Sequence, residues 1–189
     1  MKIISRNELQ THTHAYIPKF KSGKILVYPT DTIYGIGCNA LINASVAKIR
    51  EIKGNFTTPF SIIVPDVDWI QQHCVVPGNA KEWLDKLPGP YTLIFQLKDP
   101  KLFSEHVTLG KDTIGVRIPD HWITEIVKEV GYPIITTSVN KMGRTFMTDV
   151  ENLDQDIAQQ IDILVEDGEV QGKPSTIVHL TGEQKIINR

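Results

Sequence analysis

The sequence predicts an α/β (α+β) fold, a sheet layered with helices. Short runs rich in β-branched residues alternate along the whole chain with stretches whose apolar residues recur at helical spacing. The 189 residues, 41% apolar, are enough to bury one sizeable core, so a single domain over residues 1–189 is expected, with no dividing linker. With 20 Lys and Arg against 22 Asp and Glu, 13 Gly, 11 Pro and 2 Cys, no bias marks a disordered tail, a collagen repeat or a disulfide scaffold.

In chain order, residues 8–21 read as a helix closed by Gly23, and residues 24–29 (KILVYP) as a strand ended by its proline. A polar loop follows. Asn43 is expected to cap a helix over 44–53 whose Val46, Ile49 and Ile52 share one face, with Gly54 as its stop. Residues 60–64 (FSIIV) form a buried strand. Asp66 and Asn79 open two short helices, residues 91–97 (YTLIFQL) and 113–119 (TIGVRIP) are strands, and Asp120 caps a helix reaching about residue 130. Residues 133–138 (PIITTS) are a strand running into a loop over 139–148. A helix around 153–160 and three further strands, IDILV, STIVHL and KII, complete the chain.

No apolar run approaches the length of a membrane span, and the first residues, MKIISRNELQ, turn polar too early for a signal peptide, so a cytoplasmic protein with no membrane partner is expected. Cys38 and Cys74 are then free thiols. The six histidines are dispersed and read as surface or structural residues. Gly35-Ile-Gly37 lacks the third glycine of a dinucleotide fingerprint, and the stretch 168–173 has GxxxGK in place of a full P-loop; both read as turns. There is no HExxH and no GxSxG.

The unusual polar residues sit just after strands, where open α/β sheets build their ligand crevices: residues 30–35, 53–58, the strand bearing Arg117, and 138–143. Hydroxyls, amides, cations and glycine-freed backbone suit a phosphate-containing anion and do not make a metal cage, so no metal ligand is assigned to protein side chains. Asp31 stands at even odds between a turn residue and a site residue. Ser138 and Asn140 are read as ligand contacts ahead of turn caps.

The ordered motifs YPTDTIYGIGC, IK before TPFSIIV, PGPYTLIF, TIGVRIPDH, TTSVNKMG and KPSTIV resemble the YrdC-like family, the single-domain threonylcarbamoyl-AMP synthases of the TsaC type, over about residues 20–189. The resemblance implies a twisted, mixed, open sheet flanked by helices, without the C-terminal extension domain of longer relatives, and a large concave cavity that takes ATP, L-threonine and bicarbonate or CO₂, with Mg²⁺ on the nucleotide. Threonylcarbamoyl-AMP and pyrophosphate would be the products. A threonylcarbamoyl transferase of the TsaD/Kae type would use the adenylate to modify tRNA beside the anticodon. Direct binding of tRNA or double-stranded RNA is a further possibility, for which a net charge of −2 gives little support. By position, Lys53, Ser138 and Asn140 resemble the catalytic set. Thr32, Arg117, Thr137 and Ser175 resemble the threonine contacts, and Lys53, Asn55, Thr113, Ser138, Asn140 and Arg189 the ATP contacts.

One departure stands out. Where the family has Lys-x-Arg-Pro, this chain has Lys53-Gly-Asn55-Phe56, so a phosphate-binding charge is missing. Loss of a charge-assisted hydrogen bond costs about 1.5–3 kcal/mol if nothing replaces it. Three readings follow: Arg50, Lys141 or Arg144 supplies that charge; the chain is a divergent YrdC-fold nucleotide- or RNA-binding protein without synthase activity; or it is an interaction subunit with a vestigial cavity, against which the retention of Lys53, Arg117, Ser138 and Asn140 argues.

Overall fold

The computed structural model describes residues 1–170 and 172–188. Its strands are β1 (Lys2–Ser5), β2 (Leu26–Tyr28), β3 (Gly35–Gly37), β4 (Ser61–Ile63), β5 (Cys74–Val75), β6 (Tyr91–Leu97), β7 (Thr113–Arg117), β8 (Ile134–Ser138), β9 (Ile163–Glu166), β10 (Thr176–His179) and β11 (Lys185–Ile187). They form one mixed sheet in the order β1-β9-β2-β3-β8-β4-β7-β6-β10-β11, with β5 paired to β6. Helices α1 (Arg6–Thr11), α2 (Thr13–Lys21), α3 (Asn43–Lys53), α4 (Val67–His73), α5 (Lys81–Leu84), α6 (Glu105–Thr108), α7 (Ile123–Val130) and α8 (Gln155–Ala158) flank it.

Period-2 alternation splits the side chains of the sheet between two faces. Val27, Ile62, Ile114, Val116, Leu93 and Phe95 enter one core, which also takes Val46, Ile49 and Ile52 of α3. Leu26, Tyr28 and Ile63 point the other way, into a second core closed by Phe20 of α2 and by Ile123, Ile126, Val127 and Val130 of α7. Along β4, β7, β6 and β10 this second face carries mainly small and polar residues, with Ile94 and Ile177 among them, and it is there that the sheet lies open as a cavity.

The boundaries differ from expectation where side chains compete with the backbone. The helix expected over 8–21 is two helices, broken at His12, because the Thr13 hydroxyl donates to the carbonyls of Leu9 and Gln10. Asn43 is the first residue of α3 and caps nothing; Ile42 precedes it. Gly54 ends α3 in the left-handed conformation at φ 60°, as its sequence position implied. Asp66 does cap α4, accepting from Trp69 N–H. Asn79 lies inside a short 3₁₀ turn that runs into α5, and Trp122, not Asp120, precedes α7. Gly35–Gly37 is a paired strand between β2 and β8, not a turn. Both cysteines are free and buried. Among the described residues no helix is long and apolar enough to cross a membrane.

Candidate functional site

The cavity has a volume of about 590 Å³, and its floor is the open face of the sheet. Along β6 the alternation sends Leu93 and Phe95 into the core and Thr92 and Ile94 into the cavity. On β7, Ile114 and Val116 are core, while Thr113, Gly115 and Arg117 line the cavity. The rest of the lining comes from the turn after β2, the segment after α3, the end of β8, and β10 with its flanks.

One end of the cavity is built around Arg117. Its guanidinium is 6% exposed and donates from one terminal nitrogen to Asp31 Oδ1 at 2.7 Å and Thr32 Oγ1 at 3.1 Å. The other oxygen of Asp31 accepts from the backbone N–H of Asp120 at 3.1 Å, so the pair is fixed from both sides. Asp31 does not itself line the cavity; it holds Arg117 there through the ion pair. Burial lowers the Arg117 pKa and the Asp31 carboxylate opposes that shift. Arg117 Nε is buried and has no hydrogen-bond partner among the described residues. The Thr30 hydroxyl bonds Thr32 Oγ1 at 2.9 Å and donates to Ile33 O at 2.7 Å, which locks the turn. Gly172 lies against this turn so closely that a Cβ there would sit 1.7 Å from Thr32 O. Thr92 and Ser175 share a hydrogen bond of 2.7 Å on the neighbouring strands.

The other end is built from the segments that follow α3 and β8. Lys53, 4% exposed, donates to Ser138 O, to Asn140 O at 2.8 Å and to Asn140 Oδ1 at 3.1 Å. Burial pushes its pKa down to about 8. Ser138 Oγ donates to Asn140 Oδ1 at 2.5 Å, and Asn140 Nδ2 to Arg144 O at 2.7 Å. Asn55 Oδ1 accepts from the N–H groups of Thr57 and Thr58 at 3.3 and 3.0 Å, which shapes the segment in front of β4.

Thr32, Arg117, Thr137 and Ser175 of the expected threonine set line the cavity, as do Asn55, Thr113 and Ser138 of the expected ATP set. Lys53 and Asn140 do not; they sit behind Ser138 and brace it. Arg189 lies outside the described residues. Arg50 does not reach the cavity: it is 2% exposed and its nitrogens donate to the carbonyls of Asn55, Thr58, His106 and Val107. Lys141 is paired with Asp156, away from the lining. Arg144 is exposed and outside it. None of these candidates for the missing charge lines the site, because each is drawn off by backbone carbonyls, by a carboxylate or by solvent. Sequence reasoning passed over Thr92, Lys111 and His179, all of which line the cavity. The signal was available, since each lies on the polar phase of a strand or its extension.

Among the described residues the lining contains no carboxylate, and no group of three potential ligands forms a metal site. A lining of hydroxyls, an amide, cations and apolar groups does not fit a protein-held magnesium cage.

A family model described as "Telomere recombination" (Sua5, YciO, YrdC) matches residues 19–189. A Methanocaldococcus jannaschii protein named "Putative threonylcarbamoyl-AMP synthase" is 36% identical, the alignment covering 99% of this chain and 91% of that one. The Bacillus subtilis protein named "Threonylcarbamoyl-AMP synthase" is 30% identical over 89% of this chain but only 50% of its own length. Among solved structures, Pyrococcus abyssi Sua5 complexed with L-threonine superposes with a TM-score of 0.82 at 28% identity, covering 91% of this chain and 52% of that one. The chain thus spans nearly the whole archaeal relative and about half of the other two. With a family model covering most of its length and a relative above 30% identity covered almost end to end, the chain belongs to the Sua5/YciO/YrdC family.

Proposed function

We propose that this chain is a threonylcarbamoyl-AMP synthase that condenses L-threonine, bicarbonate or CO₂, and ATP. The observation that carries this reading is Arg117, a buried guanidinium in a cavity of about 590 Å³ that still has an unpartnered N–H. A buried donor of this kind calls for an acceptor, and a guanidinium fork suits a carboxylate. The threonine carboxylate would take the Nε side of Arg117, opposite the Asp31 contact, and Thr32 Oγ1 would lie beside it. The relative crystallised with L-threonine supports the choice of amino acid.

The threonine amine adds to CO₂ and loses a proton, giving an N-carboxylate. One oxygen of that carboxylate forms a bond to the α-phosphorus of ATP while the bond to the bridging oxygen breaks. Pyrophosphate leaves with the electron pair. No protein nucleophile is required. The work of the site is to bring two anions together and to stabilise the charge that develops at phosphorus, through Thr113 and Ser138 with Asn140 and Lys53 bracing Ser138 from behind. The adenylate then serves a transferase of the TsaD/Kae type that modifies tRNA.

Pyrophosphate release from ATP and bicarbonate, with and without L-threonine, tests the reading. Threonine-dependent release is expected; release that ignores threonine contradicts it. A second reading, a nucleotide- or RNA-binding protein without synthase activity, is favoured by one observation: the Asn55 side chain is occupied by its own segment. It predicts saturable ATP or tRNA binding with no threonine-dependent release.

A further inference from the structure

We infer that Lys111 supplies the phosphate-binding cation that Asn55 does not. The inference rests on the synthase reading above and names a residue that the resemblance left out. Lys111, Thr113, Gly115 and Arg117 alternate along β7 and its N-terminal extension, and all four line the cavity. At a strand rise of about 3.3 Å per residue, Lys111 begins about 20 Å from Arg117, at the opposite end.

The sheet register shows which end that is. Gly115 is paired with Ser61, and Ser61 with Thr136. Ser138, two residues beyond Thr136, and Thr113, two before Gly115, lie toward that same end, and Arg50 ties the 55–58 segment there to Val107, four residues before Lys111, by donating to the Asn55, Thr58 and Val107 carbonyls. Leu109 at φ 56° and Gly110 at φ 74° turn the chain immediately before Lys111, and its N–H is anchored to Thr108 O at 3.3 Å. Lys111 thereby joins Asn55 in the lining of the cavity.

Elimination points to the same residue. Among the described lining residues, Arg117 and Lys111 are the lysine and arginine cations, and Arg117 is at the far end. Lys53 donates to three carbonyl-type oxygens, Arg50 is spent on backbone carbonyls and Lys141 on Asp156. Lys111 is exposed, and among the described residues its ammonium has no hydrogen-bond or ion-pair partner. A compact ammonium on a flexible stem at this place can close on the phosphates that leave as pyrophosphate, whose charge grows as the bond breaks.

The test compares Lys111→Gln, Lys111→Arg and Arg144→Gln in the full chain. Arg144→Gln removes the same charge from outside the cavity. Steady-state pyrophosphate release gives KM for ATP and threonine, and calorimetry gives ATP affinity without threonine. Lys111→Gln is expected to weaken ATP affinity, or kcat/KM for ATP, by about ten- to a hundredfold, and to leave KM for threonine within about twofold. Lys111→Arg should retain most of the function, and Arg144→Gln should match wild type. Asn55→Arg in the Lys111→Gln background should restore much of the loss by returning the charge to the other side of the same site.

Equal ATP affinity and rate in wild type and Lys111→Gln overturns the assignment. So does an equal loss in Arg144→Gln, which would reduce the effect to net charge. If wild type releases no pyrophosphate with threonine yet binds ATP, the synthase reading fails and the calorimetric comparison alone decides Lys111. If wild type does not bind ATP, both fall.

Discussion

The two ends of the cavity are made differently. Around Arg117 the donors and acceptors sit on strands or in a locked turn, are buried, and are already paired to one another, with the Asp31 ion pair fixed by a second contact from Asp120 N–H. Around Ser138 the polar groups are carried by connecting segments after α3 and β8, and the buried cation there, Lys53, holds the backbone in place of lining the site. A small amino acid needs a fixed set of contacts to be told from its neighbours, which the rigid end can provide. A flexible polyphosphate needs charge more than shape, and charge can be delivered from a rim by long side chains.

Substitutions can break this contrast, and Arg117→Gln should have the largest effect. It removes the carboxylate anchor and leaves Asp31 buried without its partner, which costs about 3–5 kcal/mol of stability. Activity should fall by more than about a hundredfold, followed by pyrophosphate release. The double variant Asp31→Asn with Arg117→Gln should regain much of the stability in a thermal melt and none of the activity. Recovery of activity would show that Arg117 merely neutralises Asp31.

Lys53→Met should come next, since it unties Ser138 and Asn140 together. A loss of about a hundredfold is expected, with a smaller change in KM for threonine than for ATP. The pH profile gives an independent reading. Burial holds the Lys53 pKa at about 8, below its ordinary value of 10.5. Between those values the unfolded chain binds more protons at this group than the folded one, so its contribution to stability rises with pH across that window. Activity should move the other way and decline above about pH 8, and Lys53→Arg should carry the decline to higher pH. A profile identical in both proteins would remove Lys53 from the chemistry.

Gly172→Ala sharpens the comparison from the rigid end. The new Cβ would meet Thr32 O, a backbone atom that cannot rotate away, so the segment must shift. A cost of about 1–3 kcal/mol is expected, together with a raised KM for threonine and an unchanged ATP affinity. Ser175→Ala should have the smallest effect. It removes the 2.7 Å contact with Thr92, worth about 1 kcal/mol, and should raise KM for threonine severalfold at most.

Much of this was legible in the sequence where a local rule decides the outcome. Alternation in YTLIFQL and TIGVR, the Gly54 stop and the Asp66 cap specified β6, β7 and two helix ends. The strand Gly35–Gly37 was not legible, because two glycines carry no β signal and its pairing comes from distant β8. Candidate site residues were found where motif and strand end coincide, as at Thr32, Arg117 and Ser138. The expectation that Arg50 or Lys141 faces the ligand failed because their partners lie far along the chain, at His106 and Val107 for one and at Asp156 for the other. Lys111 was passed over because a lysine between glycine and aspartate looks like an ordinary solvated charge until the sheet is assembled.

The most direct test of the central claim is a mass analysis of the reaction with ¹³C-bicarbonate, ATP and either L-threonine or L-threoninamide. The account predicts an adenylate carrying both the threonine mass and the heavy carbon, formed with pyrophosphate, and almost none of the corresponding product from the amide that lacks the carboxylate. An adenylate without the heavy carbon, or equal turnover of threonine and threoninamide, would contradict it.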